Sequence, residues 1–221
     1  MTLLSILVEY QEAFIDGLKT TLAMALITWT SGIIGGILVG FLASYFEKTI
    51  GSCLRLIAFI LSGLPVLVPL LVLHYPAQAN ANIRVNPFYT ASLVFSLVNI
   101  VVVGICTFQA IKDFPRQFIA VAKISGLSPL QIFRYIQLPL LLRSLIPTLL
   151  FIQVAALHLT IVASWISVDD LFRQAQRITM KTFHPIEVYS VVGGFFLVIC
   201  LPLNAFALIL RNKYTRELSE R

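Results

Sequence analysis

Apolar residues in this chain run in long unbroken stretches, with short polar clusters between them. Five stretches reach the about 20 residues that a helix needs to cross a hydrocarbon layer: 18–45, 54–74, 88–111, 138–163 and 185–210. The runs are continuous rather than alternating, which predicts helices and argues against a β-barrel. On the first, Gly32, Gly36 and Gly40 recur four apart, a spacing that lets a second helix backbone approach closely and predicts a packing surface. The second is interrupted by Gly63-Leu64-Pro65 and Pro69. Irregular backbone at membrane depth survives only when it is buried in protein or faces a cavity. The stretch is therefore either the wall of a pathway or a packed kink. Ahead of the first run, Leu3, Leu4, Ile6, Leu7, Phe14 and Ile15 recur among Glu9, Gln11, Glu12 and Asp16. This reads as a short helix on the outer interface or as a plain lead into the first span.

Composition supports an all-α polytopic membrane protein with five transmembrane helices. Hydrophobic residues are 58% and charged residues 12%, against roughly 25% charged in soluble domains. A soluble enzyme, a disordered chain and a disulfide-stapled domain are excluded. The expected organisation is an interfacial segment over 1–17, a membrane domain over 18–211 and a cytoplasmic tail over 212–221. Placing the N-terminus outside puts eleven of the 16 Lys and Arg residues on the cytoplasmic side: Lys48, Arg55, Lys112, Arg116, Lys123, Arg134, Arg143, Arg211, Lys213, Arg216 and Arg221. That split predicts an N-out, C-in topology. The net charge of +6 is then a topology signal, with membrane lipid as the partner and no nucleic acid. Met1 to Asp16 has no basic leader, so no signal peptide is expected. Cys53, Cys106 and Cys200 show no metal-ligand spacing and read as packing residues.

No Asp, Glu, Lys or Arg lies in the central part of any span. The polar groups left there are Asn99, Thr107, Gln109, Gln153, His158, Thr160 and Asn204. Each must face protein or a cavity, because an unpaired polar group in hydrocarbon is costly. An ion-coupled carrier would place an acid at the midplane, and an intramembrane enzyme would carry a catalytic motif such as H-E-x-x-H; neither is present. The candidate pathway residues are Gly63, Pro65, Asn99, Gln109, His158 and Thr160. His158 reads either as a solute-contacting or gating group or as a satisfied packing histidine.

The loop over 112–139 is the most informative stretch. Pro115 opens a helix with Phe118, Ile119, Ala122 and Ile124 as apolar positions, and Gly126 sits where a glycine ends one. Ser128 is placed to cap a second helix, with Pro129 at its first position and Gln131 closing a capping box. The unit reads as a compact cytoplasmic surface for a soluble partner, or as an ordinary connecting loop.

Here the sequence resembles the EAA motif of ABC-importer permeases, E-A-A-x-x-x-G-x9-I-x-L-P. Ala120, Ala122, Gly126, Ile136, Leu138 and Pro139 fall at its spacing, Ala120 standing where the pattern has Glu. Gly17-Leu18-Lys19-Thr20-Thr21-Leu22, Asp170 to Gln176, Thr182 to Tyr189 and Cys200-Leu201-Pro202-Leu203 are similar to the polar amino-acid uptake subfamily. The resemblance spans about Gly17 to Arg216.

It implies a type I importer permease of the bacterial plasma (inner) membrane, forming an amino-acid pathway with a second permease subunit. Two cytoplasmic ATPases would dock on the loop, and a periplasmic or surface-tethered solute-binding protein would deliver the solute. No Walker A pattern is present, so this chain is expected to bind no cofactor and to be no enzyme, with ATP and Mg on the partner ATPases. The subfamily's charged stretch at the end of the third span is here Gly104 to Gln109, with Ile105 and Phe108 at the Glu and Arg positions. A heterodimer whose sister chain supplies charged solute contacts is preferred over a homodimer with neutral contacts. A non-conducting scaffold or regulatory subunit is the alternative.

Overall fold

A computed structural model of the chain describes residues 2–219, with side chains as far as Tyr214. The Arg216 side chain and Arg221, counted above for topology, lie outside what is described. A short helix α1 (Leu3–Glu9) leads into α2 (Gln11–Tyr45), then a π-helical elbow (Glu47–Gly51), α3 (Ser52–Gly63), α4 (Leu67–His74) and α5 (Pro76–Ala81). There follow α6 (Pro87–Lys112), α7 (Arg116–Ile124), α8 (Pro129–Ile132), a π-turn (Phe133–Gln137) and α9 (Leu138–Leu159). A 3-10 segment (Thr160–Ile166), α10 (Leu171–Thr182) and α11 (Pro185–Ser219) complete the chain. Among the described residues four helical stretches are long and apolar enough to cross a membrane, and the elbow with α3 followed by α4–α5, a pair bent by 97°, makes a fifth when taken as one span.

The helix starts follow their capping residues. The Asn86 side chain accepts from the Phe88 N–H at 2.9 Å, with Pro87 at the first position of α6. The Asp170 carboxyl accepts from the Arg173 N–H at 2.7 Å and starts α10. The expected break in the second span is present. α3 stops at Gly63, and Leu64 is extended (φ −109°, ψ 121°), as a residue before proline tends to be. Pro69 causes no second break. It lies in the first turn of α4, where a missing N–H costs nothing.

The centre of the bundle is the crossing of α2 and α6. A β-carbon on Gly32 would lie 2.1 Å from the Asn99 amide nitrogen, one on Gly36 2.5 Å from Val103, and one on Gly40 2.6 Å from the Gly104 carbonyl. The expected glycine surface is thus filled by α6 backbone and side chains. Lipid tails are as apolar as leucine, so close packing rather than exclusion from water holds such helices together. Polar groups add to the crossing. The Asn99 amide donates to the Thr28 carbonyl and to Gln153 Oε1, each at 2.9 Å. The Trp29 indole N–H donates to the Gln153 carbonyl at 2.8 Å. One buried node therefore pins α2, α6 and α9 together.

At the end of the bundle away from α7, the amphipathic α10 buries Leu171, Ala175 and Ile178 against Ile6, Phe14 and Val188. The Leu171 N–H donates to Thr21 Oγ1 at 3.0 Å, so α10 is fastened to α2. The short N-terminal helix exists and is tied into this cluster through Ile6. α2 begins at Gln11, so it runs through the boundary placed at 17–18. The outward faces of α2, α3 and α11 carry exposed Ile34, Phe59 and Val198, side chains suited to lipid or to a second subunit.

Candidate functional site

The loop between α6 and α9 is shaped by its own sequence. α7 ends in a left-handed turn at Gly126, φ +79°. The Gly126 N–H donates to the Lys123 carbonyl at 3.0 Å and the Leu127 N–H to the Ala122 carbonyl at 3.1 Å. These are the two bonds of a Schellman end. Ser128 and Gln131 then close a reciprocal capping box, the Ser128 N–H donating to Gln131 Oε1 at 2.8 Å and the Gln131 N–H to Ser128 Oγ at 3.4 Å.

From Pro129 the backbone stays helical to Ile166. The fourth span therefore begins in the loop rather than at 138. Pro139 gives the reason for the π-turn before it. With no N–H for the Tyr135 carbonyl, and a ring that crowds it, the ladder widens by one residue.

This scaffold turns apolar side chains outward. Ala122 and Ile132 are buried, whereas Ile124 is 88% and Leu130 74% exposed, with Val121 beside them. Ala120 and Leu138 are exposed; Ile136 and Pro139 are half-buried. An apolar knob on a frame held by a Schellman end and a capping box is suited to receive a protein partner. An edge contact between the Phe41 and Phe133 rings, 6.4 Å between centroids, ties the π-turn to α2.

The pathway candidates do not converge on one cavity within this chain. Asn99 is buried in the three-helix node, with its amide donating inside the fold. Thr160 is buried and its hydroxyl donates to the Leu157 carbonyl at 2.7 Å. His158 is exposed, with Nε2 3.4 Å from Cys200 Sγ and its ring 6.0 Å from that of Phe196. Gln109 is exposed near the end of α6. Gly63 and Pro65 lie on an open surface, with nothing within 4 Å of a β-carbon built on Gly63. The apolar pattern gave no hint of three further features. Gln153 and Trp29 complete the Asn99 node. Glu47 is bracketed by Lys112 and Arg55 at the loop end. Asp169 pairs with Arg177 at 2.6 Å beside α10. Next to that pair, burial pushes the Asp170 carboxyl up to about 7, against the hydrogen bond from Arg173.

The profile of the family described as "Binding-protein-dependent transport system inner membrane component" matches residues 32–216. The glutamine transport system permease protein GlnP of Escherichia coli K12 is 30% identical over 193 residues, 86% of this chain and 87% of that one. The histidine/lysine/arginine/ornithine transport system permease protein HisM of the same strain is 27% identical over 215 residues, 89% of this chain and 90% of that one. A crystal structure of an amino acid ABC transporter with histidines superposes with a TM-score of 0.84 at 22% identity, covering 96% of this chain and 99% of that one.

Proposed function

This chain belongs to the family of binding-protein-dependent transport system inner membrane components, and we propose that it is the permease subunit of an importer for polar amino acids. The observation that carries the reading is the loop. It combines the importer spacing with a Schellman end, a capping box and an exposed apolar knob continuous with a membrane-spanning helix. The similarity to permeases for glutamine and for basic amino acids supports the choice of solute class.

In this reading the loop faces the cytoplasm, the N-terminus lies outside and the knob docks an ATPase. Two such ATPases carry ATP and Mg. A binding protein delivers solute at the α10 end. An amino acid carries two opposite charges, and burying them without partners is costly. The polar groups of this chain's spans are neutral, and Asn99 is spent inside the fold. A sister permease therefore supplies charged contacts, and this chain completes the pore.

The deciding experiment is ATPase activity of the reconstituted complex, with its binding protein, against single amino acids. Stimulation by one polar amino acid, with accumulation of that solute in vesicles, is the expected result. Solute-independent ATPase with no accumulation of any amino acid would sink the reading and favour a scaffold. Two identical copies of this chain in the purified complex would sink the heterodimer alone.

A further inference from the structure

At the loop end of the bundle a cleft of about 250 Å³ opens between Ser44, Glu47, Phe108, Lys112, Arg116 and Gln137. It joins the end of α2, the elbow after it, the end of α6, the start of α7 and the π-turn. Its charge is unbalanced. Glu47 pairs with Lys112, and Arg55 reaches the same carboxylate at 3.6 Å. Lys112 first and Arg55 second hold the Glu47 carboxyl below the usual carboxylate range, so it stays ionised. Arg116 has no ion-pair partner among the described residues. Two cations, Lys112 and Arg116, thus line the cleft against one carboxylate, which Arg55 also neutralises from outside the lining. The Phe108 ring lies 5.4 Å from the Arg55 guanidinium and 5.8 Å from the Lys112 ammonium, holding both heads over an apolar floor. Phe114 and Ile119 extend the apolar wall.

The location selects among anions. Lys112 is the last residue of α6, a helix long and apolar enough to cross a membrane, and the end of such a helix falls near the lipid headgroups. A net-positive cleft with apolar walls at that depth matches a headgroup with glycerol and acyl carbons beneath it. We propose that this cleft binds the headgroup of an anionic phospholipid of the cytoplasmic leaflet, its phosphate on Arg116 and Lys112. The bound lipid ties the ATPase-docking loop to the first and third spans. The inference uses the orientation proposed above. Solute-stimulated ATPase of the same preparation reports separately on the transport reading.

The test is native mass spectrometry of the purified complex released from nanodiscs containing equal phosphatidylglycerol and phosphatidylcholine. Wild type should retain phosphatidylglycerol preferentially. Arg116→Gln should lower that retention several-fold, and Arg116→Lys should keep most of it. Glu47→Gln removes the competing carboxylate and should raise retention, a direction that general damage to the fold would not give. Equal retention of both lipids by wild type, unchanged retention in Arg116→Gln, or loss in Glu47→Gln would each overturn the site. Displacement of phosphatidylglycerol by excess inorganic phosphate would overturn the lipid source, leaving a site for soluble anions.

Discussion

Gly32→Ala tests how the central crossing is held. An added methyl would lie 2.1 Å from the Asn99 amide nitrogen and 2.5 Å from its carboxamide carbon. Asn99 cannot simply turn away, because its amide is held to the Thr28 carbonyl and to Gln153 Oε1. Displacing it leaves buried polar groups unpaired, at about 1–3 kcal/mol each. Overpacking adds about 1–3 kcal/mol, and the better helix propensity of alanine returns about 1 kcal/mol. With one group left unpaired the net expectation is a loss of about 1–5 kcal/mol, and a second unpaired group raises it. Steric trapping or reversible denaturation in mixed micelles would measure it. Because the clash is with Asn99 itself, the cost should be strongly coupled to that side chain. In a double-mutant cycle, Gly32→Ala with Asn99→Ala should cost at least about 1 kcal/mol less than the sum of the single changes. Additive single effects would refute the clash as the cause.

Three further outcomes follow from the same structure. Asp170 keeps a proton in the fold up to about pH 7, whereas its ordinary value is 3.8. The folded chain thus binds more protons than the opened one between these limits, and protection of α10 should fall as pH rises from about 4 to 7, by on the order of 4 kcal/mol. Hydrogen exchange over 171–182 should show this fall in wild type but not in Asp170→Asn, which keeps a capping side chain without the charge. Gly126→Val forces a β-branched residue to φ +79°, costing about 1–2 kcal/mol, and should reduce ATPase co-purification while the permease still inserts; Gly126→Asn should retain most of it, and equal retention by both would show that the left-handed turn at Gly126 does not set the docking surface. In a cysteine-free background, a cysteine at Asn82 should react with impermeant reagents in intact cells and one at Ser219 should not, the reverse pattern overturning the orientation.

The loop was legible in the sequence because its chemistry is local. Gly126, Ser128, Pro129 and Gln131 each act on backbone groups within a few positions, so spacing alone identified the turn and both caps. The spans were legible because hydropathy sums over many residues. The node was not: Asn99 meets Thr28 across 71 positions and Gln153 across 54, and nothing in an apolar run says which polar residue faces which. Reading Asn99 and His158 as similar pathway groups therefore missed that one is spent inside the fold and the other is exposed beside Cys200. The α10 helix escaped the hydropathy pattern because it is short and half polar, although Asp170 followed by Leu171, Ala175 and Ile178 carries a capped, one-faced pattern. Its attachment to Thr21 spans 150 positions. The π-turn escaped because it leaves the apolar period intact, and Pro139 alone marks it.

The bend between α3 and α4 has two candidate causes, and they make opposite predictions. One is local: Pro65 confines Leu64 to extended backbone and offers no N–H to the carbonyl of Leu61. The other is tertiary: Leu70 is fully buried against Ala91 and Phe95, which fixes α4 wherever its lead-in points. At 1.5 Å per residue, a straight helix over 52–81 would be roughly 45 Å long, whereas legs of roughly 18 and 22 Å bent by 97° span roughly 27 Å. Spin labels on cysteines at Ser52 and Asn80, both exposed, resolve that difference in a background without Cys53, Cys106 and Cys200. A span that lines a pathway needs the bend stored in its own backbone, so that it persists while α4 shifts against α6. Pro65→Ala should then broaden the distance distribution toward the longer value and slow transport. An unchanged distance in Pro65→Ala would assign the bend to Leu70 packing, and the break would be a packed kink rather than the wall of a moving pathway.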